Sequence, residues 1–554
     1  MMQPCPLTQS SGAGHAVASS FKSALMMLGA VFICWAFFGA GAVKAGDGDA
    51  FITSWETTEA GQEIFIPTAP GTDYEFTIDW GDGTVEEISG TDPNPAHTYA
   101  EPGTYRVAIS GGFPRIHFNL TRMDLFQGAG GDIEKGANAQ KLKAVEQWGS
   151  IEWSSMEEAF AGAGSLTVNA SDTPDLSAVT SLHRMFSLAT DFDGSIGHWD
   201  VSNIVDMSQM FEEAASFDQD IGSWDVSGVT DMSAMFRGAA SFNQDLGGWD
   251  VSSVTTMEAM FRDASAFNGD IGEWDVSNVT DMSSMFVSAE VFDRSIGSWD
   301  VSGVTDMSSM FTQARAFDQD IGGWSLSSAR DLTGMFSSTE SFNQDLGHWD
   351  LSGVEEIARM FHDAEAFNQD ISGWDIAHIS DMSWLFNGAE SFNQDLSAWD
   401  VSGVTDMSSM FTDASAFDQD IGRWDVANVT DMGGMFWGAE SFNQDIGGWD
   451  VSSVEDMGRM FFNNASFNQA IGGWDVSSVT SMWLMFAGTE SFDQDIGDWD
   501  VSAVRNLRQM FRDALAFNQD LSAWTLSGDV DSEGMFDGAQ AFDAAHAPPG
   551  VEID

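Results

Sequence analysis

The chain has almost no cysteine. Cys5 and Cys34 are the only two in 554 residues, and both precede residue 46. Residues 46–554 therefore form no disulfide and carry no thiolate chemistry, so packing and hydrogen bonds must hold their fold. Positive charge is scarce as well: 20 Lys and Arg face 86 Asp and Glu, a formal net charge of −66. A chain this acidic, with no basic patch, is repelled by nucleic acid and by anionic membrane surfaces. That excludes nucleic acid and leaves cations, basic partners or salty water as counterparts. Catalytic signatures are missing too. The nine histidines are scattered and, apart from His198 and His348, do not recur in phase. No His-Glu-x-x-His, Gly-x-Ser-x-Gly context or phosphate loop occurs. Carboxylate pairs abound in every segment, whereas a glycosidase needs one special pair with separated pKa values. The expectation is a non-enzyme, in which Arg294 and His362 are the only residues whose break with the repeat would merit a test for chemistry.

Long hydrophobic runs are limited to one. Lys22 precedes an uncharged apolar stretch from Ala24 to about Val43, and Val43-Lys44-Ala45 offers a small-residue cleavage site before Gly46. Residues 1–45 read as a signal peptide, which implies export to the extracellular space, the cell surface or the periplasm. The stretch is also long enough to span a bilayer if retained, and it is the one membrane contact the sequence offers.

What the chain does have is repetition. A tryptophan recurs every 25 residues from Trp199 to Trp524 without a slip, through Trp224, Trp249, Trp274 and Trp299. Met-Phe pairs keep the same phase from Met185-Phe186 to Met535-Phe536, with Leu385-Phe386 as a variant. Such self-similarity means one unit stacked many times, a solenoid whose turns cannot bury their apolar faces alone. Within a unit, Val229, Met232, Met235, Phe236 and Ala239 fall at i, i+3, i+6, i+7 and i+10, which predicts a short helix with Thr230 as its N-cap. A short strand is expected between Gln219 and Val226. The fold class is thus an α/β solenoid on the leucine-rich-repeat plan, one strand and one helix per turn. Trp199, Trp224, Trp249, Trp274, Trp299, Phe211, Phe236 and Phe261 are assigned to its core. The methionine stripe is read as packing rather than a copper site.

Residues 46–112 read differently. Tyr74-Glu75-Phe76-Thr77-Ile78-Asp79-Trp80 and Thr104-Tyr105-Arg106-Val107-Ala108-Ile109-Ser110 alternate as strands do, and Gly81-Asp82-Gly83 is a tight-turn signal. His97 is taken as structural, and Asp79 and Asp82 as turn-capping. The set Asp79-Trp80-Gly81-Asp82-Gly83-Thr84, His97-Thr98-Tyr99 and Pro102-Gly103-Thr104-Tyr105 resembles a PKD domain, which implies an all-β immunoglobulin-like sandwich. The 25-residue unit, seen in Phe242-Asn243-Gln244-Asp245, Trp249-Asp250-Val251-Ser252 and Met260-Phe261, resembles the BspA-type leucine-rich-repeat surface proteins. That resemblance implies a secreted or surface-displayed protein, in some cases adhesive. The division expected is a signal peptide over 1–45, the PKD-like domain over 46–112, leading turns over 113–175, the solenoid over 176–545 and a tail over 546–554.

Stacking turns places like residues in columns, and three columns are acidic. One holds Asp220, Asp245 and Asp270; a second Asp225, Asp250, Asp275 and Asp300; a third Asp206, Asp231, Asp281 and Asp306. Carboxylates one strand spacing apart, about 4.8 Å, repel by roughly 1 kcal/mol in water. They need screening, hydrogen bonds or cations, and Ca²⁺ is the candidate metal for the first two columns. The expected function is a non-catalytic interaction or adhesion protein, monomeric or weakly self-associating, whose long acidic face contacts an extracellular protein or glycan through many equivalent weak contacts. The alternative is a Ca²⁺-dependent structural or matrix protein without a dedicated ligand.

Overall fold

The computed structural model describes residues 47–120, 133–551 and 553. All belong to one compact unit, Ala45–Asp554. The expected signal peptide lies outside the described residues. Among those described, no helix is long and apolar enough to cross a membrane.

The N-terminal region is all-β. Strands β1 (Phe51–Thr57), β2 (Glu63–Phe65), β3 (Asp73–Asp79), β4 (Val85–Thr91), β5 (Ala96–Thr98) and β6 (Gly103–Gly112) precede a short helix α1 (Ile133–Ala139), β7 (Leu142–Gln147) and β8 (Thr167–Val168). Six of them form one sheet in the order β4-β3-β6-β1-β7-β8, and β2 pairs with β5. Alternation explains β3: Tyr74, Phe76 and Ile78 point inward while Asp73 and Glu75 face water. The sheet does not stop at residue 112. β7 pairs antiparallel with β1, and β8 runs parallel to β7, so the chain leading into the repeats extends the same sheet. Aromatic contacts continue the join: Phe51 meets Trp148 at 5.8 Å, Trp148 meets Phe160 at 5.9 Å, and Phe160 stacks on Phe186 at 5.7 Å. One apolar core therefore runs from the sheet into the array, and the β region seals the end of the stack.

The repeats depart from the expected α/β plan. Among the described residues, no turn of the array contains an α-helix, and no strand forms between Gln219 and Val226. Val229, Met232, Met235, Phe236 and Ala239 are all fully buried, but they sit on consecutive tight turns. The N–H groups of Met235, Arg237 and Ala239 donate to the carbonyls three residues back. The intervening N–H groups of Met232, Ala234, Phe236 and Gly238 donate to Thr256, Glu258, Met260 and Arg262 of the next turn, at 2.7–3.2 Å. Ala234 (φ 51°) and Gly238 (φ 72°) are left-handed, which a type II turn requires at its third position and a helix forbids. Thr230 caps nothing; its N–H and Oγ1 donate to the Val205 carbonyl of the preceding turn. The ladder between turns is a row of isolated parallel bridges, such as Asp206 to Asp231 to Thr256.

Two phenylalanine columns fill the core. Phe211, Phe236 and Phe261 stack on one another, and Phe217, Phe242 and Phe267 form a second column 3.8–4.0 Å from the first within each turn. Corresponding points in successive turns lie farther apart the farther they are from the axis of the repeat. The first column steps 5.5–5.8 Å, and the tryptophan column 6.2–6.5 Å. The bridge side is therefore the inner face of the stack, and the tryptophan side the outer. On the outer side, side chains span the wider gap. Trp249 Nε1 donates to the Ile221 carbonyl at 3.1 Å, and Trp274 to Leu246 at 2.9 Å. Asn243 N–H and Gln244 Nε2 both donate to Asp218 Oδ1.

Candidate functional site

The Asp220 and Asp225 columns are exposed, the Asp231 column is half-buried on the bridge side, and all three are engaged locally. Asp225, Asp250 and Asp275 are exposed, and each Oδ1 accepts the N–H and hydroxyl of the serine two residues on, as in Ser252 to Asp250 at 3.1 and 2.6 Å. Asp300 accepts the Ser302 N–H in the same way. The serine hydrogen bonds hold the Asp250 and Asp300 carboxyls below the ordinary carboxylate value. Asp220, Asp245 and Asp270 accept the N–H of Gly222, Gly247 and Gly272. Asp206, Asp231, Asp281 and Asp306 accept from Ser208, Ser233, Ser283 and Ser308. These are side-chain turns closing on their own backbone. Among the described residues, no group of three or more His, Cys, Asp or Glu converges as a metal site. The core set fixed from sequence, Trp199, Trp224, Trp249, Trp274, Trp299, Phe211, Phe236 and Phe261, is buried throughout.

In the β region, Asp79 and Asp82 accept the N–H of Gly81 and Thr84. His97 Nε2 lies 2.8 Å from Asp82 and its ring stacks on Trp80 at 5.2 Å. Burial works against the Asp82 carboxylate, yet the His97 and Thr84 hydrogen bonds bring its pKa below the ordinary value. A cavity of about 610 Å³ opens beside β3 and β6 and is lined by Asp49, Asp73, Glu75 and Glu152 among others.

Sequence reasoning missed the face where the turns differ. Four positions per turn, those of Ser233, Ala234, Arg237 and Gly238, vary along the array while the columns around them hardly change. They lie on the inner, bridge side. Cations and aromatic side chains outside the core collect there: Arg359, His362, Trp384, Trp437, Arg459, Phe462 and Trp483. Arg459 lies 3.8 Å from the Trp483 ring centroid and 5.0 Å from that of Trp437. Arg359 faces Trp384 at 5.6 Å, and His362 meets the same indole at 5.6 Å. The remaining curiosity, Arg294, only donates to the Asn268 carbonyl.

Two of the four varying positions are left-handed. The Ala234 position carries Arg359 (φ 59°), Trp384 (φ 60°), Arg459 (φ 61°) and Leu484 (φ 55°), yet Gly334, Gly434 and Gly534 show that glycine fits the same place. A side chain in that conformation costs about 1–2 kcal/mol relative to glycine. The signal in the sequence was this variation between turns, visible once the units are written one above another.

A family model described as "Mycoplasma protein of unknown function, DUF285" matches residues 154–273, 260–374, 357–462 and 439–547. The chain belongs to the DUF285 family. In this DUF285 protein, tandem repeats with an aromatic period of 25 residues tile residues 154–547 behind an all-β sheet region. No curated protein and no solved structure matches the chain.

Proposed function

We propose that this chain is an exported, non-catalytic interaction protein whose partner contacts lie on the inner strip of the repeat array. The observation that carries this reading is the placement of Arg359, Trp384 and Arg459 on left-handed backbone where glycine would be more stable. Strained positions kept with large side chains mark sites where the side chain itself is used, and tryptophan and arginine are the residues that dominate binding energy at interfaces. The outward acidic columns supply the negative field, and their carboxylates are already occupied by serine and backbone donors. Binding is thereby concentrated in particular turns instead of being shared equally among all. The resemblance to BspA-type surface proteins and to PKD domains supports an extracellular setting, with the β region as an immunoglobulin-like spacer and cap.

The test uses the full chain on immobilised extracellular matrix proteins and polysaccharides. The double variant Trp384→Gly, Arg459→Gly should lose binding, and Asp225→Asn, Asp250→Asn, Asp275→Asn should keep it. The opposite pattern would return the contacts to the acidic columns.

A further inference from the structure

Along the strip, the Ala234 position reads Arg359, Trp384, Ser409, Gly434, Arg459, Leu484 in successive turns. Two small residues thus separate Trp384 from Arg459. Beside them, Ser408 and Gly433 take the Ser233 position, so the floor stays low for two turns, over a phenylalanine column that steps 5.7–5.8 Å per turn. Trp384, about a third exposed, bounds one end. Arg459, flanked by Trp437 and Trp483, bounds the other.

The carboxylates along this floor are short of donors. In several turns a serine hydroxyl donates to the column aspartate, as Ser233 does to Asp231 and Ser283 to Asp281 at 2.6–2.7 Å, whereas Asp381 and Asp406 receive only the N–H of Ser383 and Ser408. Asp431 and Asp456 are followed by Gly433 and Gly458, and each receives only the backbone N–H of that glycine. A Cβ on Gly458 would meet the Trp483 indole and also lie 3.0 Å from Asp456 Oδ1, so the indole lies over Gly458 beside the carboxylate. The array therefore has acceptors short of a hydroxyl donor, next to indoles and a guanidinium with no carboxylate within ion-pair distance among the described residues.

We infer, building on the strip reading above, that this shelf binds a neutral oligosaccharide at least two rings long. Sugar hydroxyls donate to Asp431 and Asp456 in place of the missing serine hydroxyls, the guanidinium of Arg459 donates to ring and hydroxyl oxygens, and the C–H faces of the rings pack on the indoles. The row Asp406, Asp431 and Asp456 repels an anionic sugar, which selects a neutral one.

Calorimetric titration of the full chain with cellohexaose, xylohexaose, mannohexaose and chitohexaose tests this. At least one should bind. Trp384→Gly should weaken it by about tenfold or more, as expected for loss of an anchoring aromatic. Gly433→Ser should weaken it similarly, because the introduced hydroxyl occupies Asp431. That substitution restores the residue found at the same place in the two preceding turns, Ser383 and Ser408, so its unfolding midpoint should not fall. No binding at millimolar sugar, or equal binding by wild type and Gly433→Ser, overturns the inference. If the strip variants still lose matrix-protein binding while every sugar fails, the strip reading stands and only the sugar assignment falls.

Discussion

Two aspartates from equivalent hydrogen-bond motifs respond oppositely to pH. The Asp250 carboxyl lies below its ordinary value because Ser252 donates twice to it. Its contribution to stability is complete above the unfolded value near 3.8 and is lost as pH falls through the lower folded value. Asp431 is shifted upward, by burial first and then by Asp406 and Asp456, against the single bond from Gly433. Its folded state holds the proton more tightly, so its contribution is present below the unfolded value and lost as pH rises through the folded one. Carboxyl NMR titration should accordingly show Ser252→Ala raising the Asp250 pKa and Gly433→Ser lowering that of Asp431. A second prediction concerns the left-handed positions. Trp384→Gly should leave the protein as stable as wild type or stabilise it by up to about 1 kcal/mol, since glycine removes the strain; a large loss in thermal unfolding would show that the indole serves packing instead.

At the level of the turn, the apolar spacing was legible and the backbone was not. Val229, Met232, Met235, Phe236 and Ala239 are buried as their pattern demands. Runs of three and four residues satisfy a helix and a chain of three-residue-back turns equally well, so burial alone could not choose. Ala234 decided the matter, because nothing about alanine announces a positive φ. The glycines at 334, 434 and 534 of the same column did carry that hint. The strip escaped notice for a related reason: invariant Trp and Asp columns draw the eye, while the informative residues are those that break the pattern. Within the columns, each phenylalanine touches two others in adjacent turns. Phe236→Ala, which empties the site between Phe211 and Phe261, should cost about 3–5 kcal/mol in denaturant unfolding. Trp249→Phe should cost less, removing only the Nε1 donor to Ile221 and part of the ring; the reverse ranking would make the outer column the main support.

Across the whole molecule, charge opposes compaction. With a net of −66, self-repulsion should make the thermal midpoint of residues 46–554 rise steeply with NaCl and level off as the screening length falls below the spacing of the columns. Calcium chloride at matched ionic strength should give the same rise. An additional increment reversed by EDTA would assign a metal role to one of the Asp220 or Asp225 columns. The β region matters at this scale as well. β7 and β8 belong to its sheet, and Trp148 and Phe160 bury the first face of the array. A fragment beginning at residue 154 should therefore unfold at a lower denaturant midpoint than the fragment from 46.

The direction of the hydrogen bonds between turns sets an order of events. The N–H groups of Met232, Ala234, Phe236 and Gly238 look only to carbonyls 24 residues later, and synthesis delivers the N-terminus first. A newly made turn thus stays incomplete until its successor emerges, and the finished β region is the template on which the first turn settles. The array grows like a zip closed one tooth behind the slider, so the segment exposed to misassembly at any moment is a single turn long.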